Sequence, residues 1–373
     1  MANLTTHEKE KFTLGIEEEF QIIDPTTREL SPRNADIIRE ITPILGEWVK
    51  PEMLMSCVET VTPVCQNITE AREHLLRNRS ALHEVASKFG LAIAGAGTHP
   101  FSHWKEQKIT DDIRYHVLEE ELQDVIRAIL IFGMHVHVGI GNRDTAVAIM
   151  NELRYFLPHI LALSVSSPFW VGRNTGLHSF RSVVFSRFPR TGIPDEFESA
   201  AAFDDYIDTL VTTHCIDNGK KIWWDVRPHP IYPTIEIRVC DMPTRLEETL
   251  SLAALIQAIV VKLYKLKEQN MSWRRYSRGL LMENKWRAIR YGIHGKMLDL
   301  GKQEELEAKD LMLELLAFID EVVDEVGSRK EIDYIHTILD KGTSADRQLE
   351  TYNQTKDFKQ VVDRVLQESM EGI

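Results

Sequence analysis

A chain of 373 residues with a formal net charge of −13 argues against a binder of duplex nucleic acid, which needs a basic surface to displace counterions. Hydrophobic residues at 43% and charged residues at 27% are ordinary for a globular protein with ample core. Cys57, Cys65, Cys215 and Cys240 are scattered without a C-x-x-C pair, which fits neither a zinc framework nor a disulfide scaffold and suits a reducing cytoplasm.

In chain order, the opening MANLTTHEKEK is polar and lacks the apolar core of a signal peptide. Residues 13–24, TLGIEEEFQIID, read as a strand with Leu14, Ile16, Phe20 and Ile22 on one face and Glu17, Glu19 and Gln21 on the other. Glu18 interrupts the apolar face, which places it at a twist or an edge. Asn34 to Ile44 is expected to be helical, and MSCVETVTP a strand ending at Pro63. Asn67-x-x-Glu70 has the form of a capping box opening a helix to about Phe89, stopped by Gly90. LAIAGAG reads as a short strand, Asp111 to about Ile129 as a helix, MHVHVGI as a strand, and Thr145 to Ser164 as one long helix. Residues 168–200 look irregular. A helix from Phe203 to His214 then precedes two strands, KIWWDV and TIEIRVC, the latter pairing antiparallel with its neighbour. Thr244-x-x-Glu247 suggests a second capping box, and the remainder reads as helices at 246–268, 283–291, 303–326 and 346–369. The longest apolar stretch, roughly Leu252 to Tyr264, is broken by Gln257 and Lys262 and falls short of the ~20 residues of a membrane span. A soluble, cytoplasmic protein with no membrane partner is expected. No linker or repeat divides the chain, so residues 1–373 are read as one domain, helical from about 245 onward.

Four of the strands carry chemistry on one side. Two carboxylates, Glu17 and Glu19, share a face and repel unless something positive lies over them. His135 and His137 share a face of GMHVHVG; taken alone, such an H-x-H is as well explained by hydrogen-bonded core histidines. Glu236 and Arg238 lie opposite Ile235, Ile237 and Val239, and alone a salt-bridged sheet surface accounts for them better. Glu59 is a single acid in an apolar strand, alone read as a partly exposed glutamate. If the four polar faces converge, carboxylates, imidazoles and a guanidinium meet, a set suited to Mg²⁺ or Mn²⁺ rather than zinc. Such ions beside an arginine are equipment for phosphoryl transfer. The segment GRNTGLHSFRSVVFSRFPRTG holds Arg173, Arg181, Arg187 and Arg190, and one or two of these can clamp an anion; for any single one, a solvated loop is the commoner explanation. No P-loop, G-x-S-x-G or convincing dinucleotide fingerprint is present.

FTLGIEEEFQIID, AGTHPF, GMHVHVGI, SFRSVVFSRFP, WWDVRPHP, TIEIRVCDMP and NKWRAIRYGIHG, in this order, resemble the carboxylate–amine ligase family, also called YbdK-type or glutamate–cysteine ligase type 2. The resemblance implies an α+β, glutamine-synthetase-like fold, in which a curved, mainly antiparallel sheet forms a funnel covered by helices. It further implies ATP-dependent amide formation through an acyl phosphate, with ATP and Mg²⁺ or Mn²⁺ as cofactors and small amino acids as substrates, glutamate and cysteine by the family's name. By position, Glu17, Glu19, Glu59, His135 and Glu236 match metal ligands. His137 matches a histidine near the ATP phosphates, and Arg238 the arginine facing the γ-phosphate. Arg181 and Arg187 fall in the substrate loop. A homodimer is expected. The rival readings are a metal-dependent hydrolase using the H-x-H strand, guanidino-type phosphotransfer, and a non-catalytic nucleotide or metabolite sensor.

Overall fold

The computed structural model describes residues 11–373; residues 1–10, on which the signal-peptide reading largely rests, lie outside them. The fold is built on a seven-stranded antiparallel sheet. Its strands are β1 (Leu14–Ile23), β2 (Val49–Pro51), β3 (Cys57–Val61), β4 (Ala92–Ala94), β5 (Gly133–Gly139), β6 (Val226–Pro228) and β7 (Thr234–Asp241). Their order is β6-β7-β5-β1-β3-β2, with β4 pairing the end of β1. The glutamate-rich strand is thus central, flanked by β3 on one side and by β5 and β4 on the other.

That placement corrects the reading of Glu18. It is not at an edge: it is fully buried on the apolar face, in a bidentate pair with Arg79, at 2.5 Å (Nη2–Oε1) and 3.1 Å (Nε–Oε2). Thr249 Oγ1 donates to the same carboxylate at 2.8 Å. A buried carboxylate persists only when its charge and lone pairs are met, and here the partners come from the Ile68–Lys88 and Leu246–Glu268 helices. Those helices cover the face formed by Leu14, Ile16, Phe20 and Ile22, all buried.

The Leu246–Glu268 helix is long and apolar enough to cross a membrane, but 78% of its most apolar stretch is buried in this fold. It begins one residue later than Thr244 suggested. Arg245 is its N-cap, its backbone N–H donating to Glu248 Oε2 at 3.1 Å, while Thr244 Oγ1 bonds Ser344 Oγ at 2.6 Å. Asn67 does cap its helix, accepting from Glu70 N at 3.0 Å.

Other boundaries depart from the periodicity for local reasons. The apolar run 145–164 is two helices, Arg143–Leu153 and Leu157–Ser164, joined by a 3₁₀ turn. Pro158 lacks an N–H and sits in the first turn of the second helix, where that loss costs nothing. The 111–129 helix is divided at Gln123, whose φ of 49° ends Ile113–Leu122. The irregular stretch 168–200 contains the short helix Phe180–Phe185. At the C-terminal end, a hairpin of Lys296–Asp299 and Glu304–Glu307 precedes Ala308–Val323, and the last expected helix is two, Ser344–Thr355 and Phe358–Ser369. Arg329–Lys341 is a helix the periodic reading passed over.

Candidate active site

Because the sheet is antiparallel and in register, the four polar strand faces fall side by side. Glu17 stands opposite His135, Glu19 opposite Glu59, and Glu236 opposite His137. Between Ile237 and Cys240 the register with β5 shifts. A bulge of this kind re-aims a side chain, and Arg238, at the bulge, donates its backbone N–H to Asp225 O at 2.8 Å.

Two clusters of possible ligands result. In the first, Glu17, His135 and Glu236 bring one donor atom each within 4.8 Å of one another; in the second, Glu19, Glu52 and Glu59 do the same. Glu52 was not among the residues singled out in the sequence. It follows β2 in the loop, where no strand pattern marks it; only its pairing neighbourhood in space reveals it.

The first cluster is charge-balanced by its own neighbours. Glu17 Oε2 lies 2.9 Å from His135 Nδ1, and its Oε1 lies 3.3 Å from His137 Nε2. Burial pushes the Glu17 carboxyl up, but the hydrogen bonds from the two histidines outweigh it and hold it well below the usual range. Glu236 accepts from Arg227 Nε at 2.7 Å and from Arg238 Nη1 at 2.5 Å. Burial acts against its ionisation too, and the two guanidinium charges overcome it. His135 is driven down to about 4 by burial and by the Arg238 charge, so its ring is neutral and has a lone pair to offer.

The second cluster is not balanced. Burial and the charge of Glu52 raise Glu19 to about 7, despite Arg181 nearby. Burial, then the charges of Glu17 and Glu52, push Glu59 well above the usual range. Lys50, 3.7 Å from Glu59, is a half-exposed partner and does not reverse this. Three carboxylates that repel across a short gap, all oxygen donors, are the chemistry a hard divalent cation completes.

Beyond this cluster opens a cavity of about 290 Å³, lined by Glu17, Glu19, Glu52, Glu59, His135, Arg181 and Arg238 on one side. Arg181 is buried, stacks on the Phe185 ring at 5.6 Å, and leaves Nε without a hydrogen-bond partner. Its guanidinium occupies the space over Gly133, where an added Cβ would stand 2.3 Å from Nη2; only glycine admits it. The Gly133 N–H in turn donates to Glu19 Oε2 at 2.5 Å. Arg181 is aimed by Asp241, buried on β7, which accepts from Ser166 N, Ser167 Oγ and Ser179 Oγ at 2.9, 2.6 and 2.8 Å. Ser179 caps the helix that carries Arg181, and Ser167 Oγ accepts the Arg181 N–H at 3.0 Å.

Thus Glu17, Glu19, Glu59, His135, Glu236, Arg238 and Arg181 are brought together. His137 joins them on the Glu17 side, its Nε2 3.3 Å from Glu17 Oε1 and its Nδ1 3.1 Å from Thr234 Oγ1, with its ring edge-on to His229. Arg187 is not brought in: it follows the end of the Phe180–Phe185 helix, is exposed, and does not line the cavity.

The sequence matches the profile of glutamate-cysteine ligase family 2 over residues 13–367. A relative from Herpetosiphon aurantiacus, bearing the provisional name glutamate–cysteine ligase 2, is 55% identical over 97% of this chain and 94% of its own. One from Solibacter usitatus, provisionally named alike, is 52% identical over 100% and 97%. Among solved structures, a Francisella tularensis glutamate–cysteine ligase in complex with AMP superposes with a TM-score of 0.71 at 13% identity, over 98% of this chain and 90% of that one. A bifunctional glutathione synthetase from Pasteurella multocida gives 0.68 at 14%, over 97% and 53%. At such identities these two speak for the fold, and they bear out the expected α+β ligase architecture. On the sequence match and on relatives aligned over nearly their whole length, the chain belongs to glutamate-cysteine ligase family 2 and is an enzyme of the ligase class.

Proposed function

We propose that this ATP-dependent carboxylate–amine ligase joins the γ-carboxylate of glutamate to cysteine or another amine, through an acyl phosphate. The observation that supports it is the unbalanced carboxylate cluster lying directly against a balanced one, with Arg238 beside both and Arg181, its Nε without a hydrogen-bond partner, facing the same space.

The donor sets fit two divalent cations, Mg²⁺ or Mn²⁺: Glu17, His135 and Glu236 for one, Glu19, Glu52 and Glu59 for the other. Bound there, such cations neutralise phosphate oxygens and draw nucleotide and carboxylate together. The chain's own groups do the rest. A carboxylate and a phosphate must approach to about 3–3.5 Å although their charges repel by about 1 kcal/mol per pair at 4 Å even in water. Arg238 is held in the site by Glu236 and remains charged, since that carboxylate, with Glu17 and Glu19, outweighs its burial; it serves the transferred phosphoryl group. His137 serves the nucleotide phosphates. Arg181 takes a carboxylate of the substrate through its paired donors. Cys57, buried beside Glu19, has its thiol pushed well up by burial and is no nucleophile.

The test is ADP release by the purified protein with ATP and Mg²⁺ or Mn²⁺, across amino acids given singly and in pairs. Release that needs a carboxylate and an amine together, with a ligated product by mass, establishes the reading. Hydrolysis of an amide with no ADP formed replaces it with the metallohydrolase.

A further inference from the structure

The cavity has a second half that the ligase chemistry leaves unused. Facing the carboxylates are Tyr115, Leu118, Ile129, Ile131, Phe185 and Trp223, each only half-buried although apolar. Beneath them Met53, Ile126 and Phe188 form a small buried cluster of their own, against which several of these pack. Tyr115 and Leu118 come from the Ile113–Leu122 helix, which has no buried residue at all. The helix packs Tyr115 and Leu118 against that cluster on one side and presents both to the cavity on the other.

The charges are divided just as sharply. Among the residues lining the cavity, the cationic side chains are Arg181 and Arg238, and both stand on the carboxylate side. None of the six side chains of the apolar wall carries a charge to pair with a second substrate's carboxylate. His137, Glu236 and Arg227 lie behind Glu17, His135 and Arg238 and do not line this cavity, and beyond His137 the half-buried His229 stacks on the exposed Tyr232.

Resting on the ligase reading above, we infer that the apolar half is the acceptor subsite, and that the acceptor is a primary amine with an apolar substituent larger than the side chain of cysteine. The substituent lies against Leu118, Ile129 and Trp223, and the amine points back to the carboxylate side. The nitrogen lone pair forms the C–N bond to the activated carbonyl carbon, the C–O bond to the phosphoryl group breaks, and phosphate leaves with that electron pair and takes up the surplus proton. Burial of each added methylene against such a wall is worth about tenfold or more in kcat/KM, and the six half-buried side chains supply the area.

The experiment uses the full chain with ATP, Mn²⁺ and a panel of carboxylates. Hydroxylamine, a nucleophile too small to need the apolar wall, reports acyl-group activation as a hydroxamate. The acceptors compared are methylamine, butylamine, isoamylamine, phenethylamine and cysteine. Expected is hydroxamate with at least one carboxylate, and kcat/KM rising at least tenfold from methylamine to the larger apolar amines, above that for cysteine. Leu118→Asn and Ile129→Asn are expected to lower kcat/KM for isoamylamine at least tenfold relative to hydroxylamine in the same preparation, which normalises for any loss of folded enzyme. Hydroxamate with a flat series, or with cysteine preferred, overturns the inference and leaves the ligase reading standing. A rise in KM for ATP in these variants, with the amine series unmoved, assigns the wall to the nucleotide and also overturns it. No hydroxamate with any carboxylate removes the ligase reading, and the inference with it.

Discussion

Glu19 and Glu59 are direct partners across the β1–β3 ladder, two carboxylates on the same face with Glu52 as a third close by. Like charges directly opposite destabilise a sheet, and both groups hold their protons more tightly than usual. A carboxyl whose folded-state pKa is raised contributes stability at low pH, and loses it as pH rises from 4.5 through about 7 for Glu19. Bound cation removes that penalty. Mn²⁺ is therefore expected to raise the melting temperature more at pH 8 than at pH 6, measured by thermal shift with and without chelator. An increment that is flat with pH, or absent, is incompatible with a metal site at Glu19, Glu52 and Glu59.

Arg238→Ala removes the guanidinium at the bulge but leaves Glu236 paired with Arg227. Turnover is expected to fall by about two to three orders of magnitude, the usual loss for one charge-stabilising donor, with far-UV circular dichroism unchanged. Steady-state ADP release checks it; full turnover in a folded variant would falsify the role given to Arg238.

Asp241 acts on the site through Ser167 and Ser179. Asp241→Asn replaces an acceptor with a donor at one of its oxygens, so the loop and the capped helix lose a tie and Arg181 loses its aim. The expected outcome is a KM for the carboxylate substrate raised about tenfold, a 1 Å misplacement being costly, while Mn²⁺ affinity is kept. Unaltered carboxylate KM would show that Arg181 is positioned without Asp241.

The Glu18–Arg79 pair joins the central strand to two helices, far from solvent. Arg79→Met leaves a buried carboxylate unpaired and is expected to cost about 3–5 kcal/mol, whereas Glu18→Leu with Arg79→Met together should recover most of it. Urea unfolding of the singles and the double decides this; additive losses would contradict a coupled pair.

Buried histidines set the acid response. His99 Nδ1 accepts from Ser102 N at 2.9 Å while Nε2 faces Arg28 O at 2.9 Å, so its neutral tautomer is required, and burial drives its pKa down to about 3. His159, buried among aromatic rings, is driven to about 4. The unfolded chain takes these protons near 6.5, so the stabilisation is complete above that pH and is lost as pH falls toward the folded values. His159→Phe should flatten unfolding free energy between pH 6.5 and 4.5 by roughly 1.4 kcal/mol per pH unit. Identical slopes in variant and wild type would refute the assignment.

What the sequence determined by itself was local and periodic. Alternation across a strand placed Glu17 with Glu19, His135 with His137, and Glu236 with Arg238 on common faces, because the two-residue repeat of a strand needs no knowledge of neighbours. The helix start at Asn67 was legible for the same reason, a side chain capping the turn beside it, whereas Thr244 turned instead to Ser344 from a distant helix. Tertiary structure decided what depends on residues distant in the chain. Glu18 looked like a flaw until Arg79 and Thr249 arrived from two helices to pair it. Glu52 had no pattern to mark it, since a loop residue becomes a ligand only when folding sets it beside β1 and β3. Arg181 and Arg187 were indistinguishable in a basic loop; one short capped helix, held by Asp241 and admitted by the missing side chain of Gly133, turned the first inward and left the second in solvent.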